Sequence, residues 1–137
     1  MLDEAFERVL GRLSKIGFDA LSEPEKILVS LWAIEAEVNN GGFHQFFFNS
    51  YGECAHFVPI ALRILGAPQM AQLAERANAI FGDAGPPRDW FARQDALLAL
   101  PESAEAFLEE LDVAFQAYPE DLARLGEAYV REHYPQA

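Results

Sequence analysis

Asn39-Asn40-Gly41-Gly42-Phe43-His44-Gln45-Phe46-Phe47-Phe48-Asn49-Ser50-Tyr51-Gly52 sits where one helical stretch stops and another starts, and its reading decides the fold. Upstream of it, Ile27, Leu28, Leu31, Ile34 and Val38 recur at helical spacing. Asn and Gly tolerate the left-handed conformation that closes a helix, so Gly41 and Gly42 are expected to turn the chain sharply. Phe43 then opens a second helix in which Phe43 and Phe47 share a face, while Phe46 and Phe48 widen the apolar surface beyond one stripe. Such a segment is buried nearly all round, or divided between core and interface. Asn39, Asn40, Gln45 and Asn49 are expected to satisfy backbone groups left open at the junction. The other reading of the same side chains, with His44, is a polar pocket for a ligand.

The periodicity continues on both sides of this joint. Leu2, Phe6, Val9, Leu10 and Leu13 form a first amphipathic helix that Gly17 interrupts. Ser22 and Glu25 have capping-box spacing ahead of the second helix, with Pro24 in its first turn. Pro59 is expected to begin a helix through Leu65 that stops at Gly66, and Pro68 another through Phe81 that stops at Gly82. Gly85-Pro86-Pro87 reads as a loop, with Asp89 as N-cap of a helix carrying Trp90, Phe91, Leu97 and Leu98. After Pro101 a long helix has Ala104, Leu108, Leu111, Phe115 and Tyr118 on its apolar face. Pro119 restarts the chain, with Leu122, Leu125, Tyr129 and Val130 facing inward. No segment alternates with a period of two. The expectation is an all-α fold, a single domain over residues 1–137 with about seven or eight helices.

With 137 residues and 51% apolar composition the chain can bury a real core without staples. Its 22 acids against 10 bases give a formal charge of -12 and a sequence pI near 4.5. That field repels nucleic acid and anionic membranes and attracts basic proteins. Cys54 is the single cysteine, so no intramolecular disulfide forms. The acidic start Met1-Leu2-Asp3-Glu4 is unlike a signal peptide, and no run reaches the ~18 apolar residues of a membrane span. A cytoplasmic protein is expected.

The acids cluster between Glu102 and Glu132, where only Arg124 and Arg131 oppose Glu102, Glu105, Glu109, Glu110, Asp112, Glu120, Asp121, Glu127 and Glu132. Glu102, Glu105, Glu109 and Asp112 follow steps of three, four and three, which places them on one helical face. Such a ladder of carboxylates resembles, in its field, the phosphate line of a nucleic acid. The plain alternative is a solvated helix face. His44, His56 and His133 form no ligand pair, Cys54 and His56 lack an acid or oxyanion partner, and Trp32 and Trp90 read as core. Neither an enzyme nor a metal or cofactor site is expected.

Asn39-Asn40-Gly41-Gly42-Phe43, then Gln45-Phe46-Phe47-Phe48-Asn49 and Gly52, resemble the signature of a bacterial family of small all-helical domains. The best-known member of that family is a dimeric, acidic DNA-mimic protein. Ala61-Leu62 to Gly66-Ala67, Ala79-Ile80-Phe81, Leu111-Asp112 and Tyr129 to His133 agree with it, so the resemblance spans most of the chain. It implies a homodimer whose acidic surface occupies the DNA-binding face of a basic transcription factor or other nucleic-acid-binding protein, without binding nucleic acid itself. The motif carries over as a structural element, whereas the mimic's carboxylates do not. On the residues alone, Glu102, Glu105, Glu109 and Asp112 are the expected partner-binding set. An immunity or antitoxin-like inhibitor of a basic toxin or nuclease is the alternative.

Overall fold

In the computed structural model of the protein, residues 1–134 are described; positions 135–137 of the expected domain lie outside them. Ser22 Oγ accepts from the Glu25 N–H at 3.3 Å and Glu25 Oε1 accepts from the Ser22 N–H at 2.9 Å, the reciprocal pair that the spacing implies. Burial pushes the Glu25 carboxyl up, but the Ser22 N–H and the Arg12 guanidinium outweigh it and hold it below its ordinary range. From this cap α2 runs over Glu23–Phe48, interrupted at the joint. Gly41 (φ -154°, ψ 21°) and Gly42 (φ 75°, ψ -178°) leave helical geometry, so α2 consists of two arms. Ile27, Leu28, Leu31, Ile34, Val38, Phe43, Phe46 and Phe47 are all buried, because other helices surround both arms.

Around this spine pack α1 (Leu2–Ile16), α3 (Val58–Leu65), α5 (Trp90–Leu98), α6 (Glu102–Gln116) and α7 (Leu122–His133), while α4 (Pro68–Ala79) packs on α3 and α6. A 3-10 turn over Ser50–Cys54 links the second arm to α3. No strand occurs among the described residues, and no helix is long and apolar enough to cross a membrane. The fold is all-α, as the periodicity implies.

Several details differ from the sequence expectation. α4 ends at Ala79 and not near Phe81, because Ile80, Phe81 and Gly82 donate to carbonyls three residues back and tighten the last turn. Phe81 is thereby turned edge-on to Phe47 with ring centroids 4.9 Å apart. The cap of α7 is Asp121, whose Oδ1 accepts from the Arg124 N–H at 3.2 Å. Leu125 and Ala104 are only half-buried. Tyr118 is exposed at the end of α6's apolar face. Trp90 is 45% and Phe91 73% exposed, so neither is core.

Arg93 had no sequence signal, yet it is fully buried. Its Nε donates to Phe47 O at 2.7 Å, one terminal nitrogen to Asn49 O at 2.8 Å, and the other to Pro87 O and Arg88 O at 3.2 and 3.0 Å. The first two carbonyls belong to the C-terminal end of α2, where helix carbonyls lack intrahelical partners and a cation is favoured by the dipole. A Cβ on Gly52 would lie 2.7 Å from Arg93 Nε and 2.6 Å from Phe46 O, so only glycine lets the guanidinium reach them. Trp90 Nε1 and Gln94 Nε2 both donate to Phe48 O, at 2.8 and 3.0 Å, so α5 as a whole closes this end of α2. Arg93→Met is expected to destabilise the fold by at least ~3 kcal/mol, since several buried carbonyls lose their donor. Arg93→Lys should recover little of it, because an ammonium lacks the fork that reaches separate acceptors. Denaturant midpoints check both.

Candidate protein-interaction surface

The first N–H groups of every helix lack intrahelical partners and carry the positive end of the dipole, so a carboxylate placed there is stabilised. Among the described residues six acids are engaged in this way. Asp89 Oδ2 accepts from Ala92 N–H at 2.9 Å at the start of α5. Glu120 accepts from Gln69 and Met70 N–H at 2.8 and 2.9 Å, capping α4 from 50 residues away in the chain. Glu127 Oε1 accepts from Leu2 N–H at 3.3 Å, and Glu25 and Asp121 cap α2 and α7.

Asp112 belongs to the same set. Its Oδ1 accepts from the Phe43 N–H at 2.7 Å, which is the first open donor of α2's second arm. With φ at 75°, Gly42 leaves room for it: a Cβ there would lie 2.3 Å from Asp112 Oδ2. Burial raises the Asp112 carboxyl above the ordinary aspartate value despite this hydrogen bond, and neighbouring Glu109 adds to the rise. The four ladder residues therefore face different surroundings. Glu102 and Glu109 are exposed and make no hydrogen bond or ion pair among the described residues. Glu105 is half-buried, its Oε2 3.2 Å from His44 Nδ1. Asp112 is half-buried against the joint.

Glu110, named in the acidic cluster but outside the expected partner-binding set, follows Glu109 directly, is exposed and is equally unpaired among the described residues. α6 contains no basic residue, and its outer surface carries Glu102, Glu109, Glu110 and the 70% exposed Val113. The bases elsewhere are largely engaged: Arg12 with Glu25, Arg63 with Glu75, Arg88 with Asp19, and Arg76 over the Phe107 ring at 5.2 Å.

The amides of the joint do not serve open backbone groups, as the sequence suggested. They bond other side chains. Gln45 Nε2 and Asn49 Nδ2 both donate to Glu37 Oε2, at 2.7 and 2.9 Å, and Asn40 Nδ2 donates to Gln45 Oε1 at 3.1 Å. Asn39 Nδ2 donates to the Tyr118 hydroxyl at 2.7 Å, which itself donates to Glu35 Oε2 at 2.7 Å. A buried carboxylate needs donors more strongly than backbone that can reach its own turn, and Glu37 claims the amides of Gln45 and Asn49. Of the amides and the histidine of the joint only Asn39 lines a surface cleft, while Ser50 and Tyr51 at its far end line another.

Cys54 and His56 make no nucleophile and base. Burial pushes the Cys54 thiol up to about 12, so it stays protonated, and His56 Nε2 lies 2.7 Å from Pro86 O. Among the described residues no three His, Cys, Asp or Glu side chains converge as a metal site would require.

The sequence model of the DMP19-like protein family matches residues 19–133, a span that includes the joint, Asp112 and all of α6. No curated protein and no solved structure matches the chain.

Asp112→Ala is expected to cost about 1–3 kcal/mol of stability by leaving the Phe43 N–H without its acceptor, and Gly42→Ala a similar amount through its clash and positive φ. Asp112→Asn should be milder, since an amide oxygen can still accept. A carboxyl raised in the folded state makes stability fall as pH climbs from the ordinary aspartate value, ~3.9, through the raised one. The stability of Asp112→Asn relative to the unsubstituted protein should therefore improve over that interval. Urea melts at a series of pH values measure this.

Proposed function

The chain belongs to the DMP19-like protein family, the DNA-mimic family, and on that premise we propose that it is a non-enzymatic acidic binding protein. Its outer α6 face presents Glu102, Glu105, Glu109 and Glu110 to the DNA-binding surface of a basic nucleic-acid-binding protein, in place of nucleic acid.

The outer face of α6 supports this most directly. Carboxylates that cap helices are committed to N–H groups, whereas among the described residues Glu102, Glu109 and Glu110 are exposed and unpaired on a helix without bases. Glu102 to Glu105 to Glu109 advances by about 4.5 and then 6 Å along a rigid rod, a spacing a set of phosphate-binding Lys and Arg side chains can follow. Asp112, engaged with Phe43, contributes to the position of that rod and not to the contact set. A charge-led encounter of this kind is fast and salt-sensitive.

The exposed apolar surface at α5 supports a homodimer. Phe91 and Leu98 are 73% and 68% exposed and two turns apart on one face, and Trp90 stacks on Phe91 with centroids 6.1 Å apart. Phe48, held beside them through its carbonyl, is also exposed. A contiguous patch of large apolar side chains on a protein of such high charge fits an isologous contact, in which the same patch covers itself.

The triple variant Glu102→Gln, Glu109→Gln, Glu110→Gln is expected to keep its melting temperature and lose at least ~10-fold in affinity for the basic partner, about 1.4 kcal/mol. Binding of the unsubstituted protein should weaken steeply as the Debye length contracts from ~10 Å at 0.1 M salt toward ~3 Å at 1 M. Equal affinity for the triple variant, or binding indifferent to salt, overturns the assignment to α6. Leu98→Glu should convert a dimer to a monomer by light scattering; an unchanged mass removes α5 as the contact.

A further inference from the structure

A groove opens between the C-terminal end of α1, the Ser50–Cys54 turn and the residues that lead into α5. Its volume is about 470 Å³, within the ~300–1,000 Å³ of small-molecule sites. A second hollow of about 230 Å³ adjoins it, and the two share Phe18, Glu53, Cys54 and Arg88. The walls of the larger one combine apolar and aromatic side chains, Leu13, Val29, Tyr51 and Trp90 among them, with polar ones in nearly equal measure.

Charges that face this space can be accounted for one by one. Arg88 is tied to Asp19 through two bonds, at 2.8 and 3.3 Å. Asp89 caps α5. Lys26, on the rim of the smaller hollow, lies over the Phe18 ring at 5.6 Å. The Cys54 thiol stays neutral, and Arg93, whose charge is felt by neighbouring groups, is bound to backbone carbonyls. His56, in the smaller hollow, lies against Pro86 O at 2.7 Å. Glu53 lies within the field of Arg88 and Arg93, but both guanidiniums are bonded elsewhere. The half-buried Glu53 carboxylate lines both hollows and makes no hydrogen bond or ion pair among the described residues.

We propose that this groove binds a small organic cation, an amine or guanidine carried on an aromatic or apolar body, with Glu53 as counter-ion and the Tyr51 and Trp90 rings as walls. A partly desolvated carboxylate beside aromatic rings favours a cation, through ion pairing and through the negative ring faces. An anion would meet Glu53 and Asp89 and find Arg88 already bound to Asp19, and a neutral ligand would cover Glu53 without replacing its water. The charge of -12 adds a field that concentrates cations around the protein. The site is separate from the α6 face and does not depend on the identity of the protein partner.

Intrinsic fluorescence reports on the groove. Trp90 lines it, and Trp32 lies edge-on to Tyr51 with centroids 5.0 Å apart. Phenethylamine and its neutral counterpart phenethyl alcohol are the probes, titrated with excitation of tryptophan alone. Saturable quenching by the amine, weaker binding of the alcohol, and a loss of about 5- to 10-fold for the amine alone in Glu53→Gln support the proposal. Ser14→Phe, at an exposed lining position, should block both probes without changing the melting temperature. Absence of saturable binding by the amine, equal binding of amine and alcohol, or an unaltered amine affinity in Glu53→Gln overturns it.

Discussion

A single carboxylate holds the joint on which the other helices are arranged. Asp112, on α6, takes the N–H of Phe43 and so begins a helical arm at a point where the preceding arm has only just ended. Gly42 is the residue that makes room, both because its φ is positive and because any Cβ would occupy the space of the carboxylate. The consequence reaches in two directions. α6 is pinned across α2 at the joint, and the Phe-rich arm is aimed so that Phe43, Phe46 and Phe47 enter the core. At the far end of that arm Arg93 performs the complementary task, donating to carbonyls as Asp112 accepts from an amide. Both ends of one arm are therefore capped by side chains distant in sequence.

This arrangement alters the meaning of the protein's charge. An acidic protein is easily read as one whose acids all face a partner, yet Glu25, Asp89, Asp112, Glu120, Asp121 and Glu127 are each engaged with a helix start. These groups trade hydration for several N–H donors and a favourable dipole. Asp3, Glu7, Glu23, Asp83 and Asp95 are exposed singly on other parts of the molecule, whereas the acids of α6 stand together. Glu102, Glu109 and Glu110 stand on α6 without bases, and Glu53 stands in the groove near α5. Charges grouped on one rigid element make a more selective field than the same number spread over the surface.

The elements whose signals are local were legible in the sequence. The Ser22 and Glu25 capping box, the Asp89 cap, the stop at Gly66 and the break at Gly41-Gly42 each depend on a few neighbouring residues, and each occurs where the pattern places it. Errors arise where distant chain decides. Trp90 and Phe91 have the composition of core residues, but α5 turns Leu97 and Arg93 inward to close α2, which leaves both aromatics outside. Asp112 has the spacing of a ladder residue, and only the crossing of α6 over the joint makes it a cap. The amides of the joint likewise look suited to backbone groups until Glu37, eight and twelve residues before Gln45 and Asn49, is seen to lie between them.

The sequence by itself determined that the protein is helical, where its helices are punctuated, that its acids gather toward the C-terminal third, and that its central motif resembles that of a DNA-mimic family. Those properties follow from periodicity, from the conformational range of glycine and proline, and from composition, all of which act over a turn or two of chain. Only the tertiary structure decided which carboxylates are free. Whether a carboxylate faces water or an open N–H depends on how helices from remote parts of the chain cross, and that crossing left Glu110 on the outer face of α6 while it drew Asp112 into the joint.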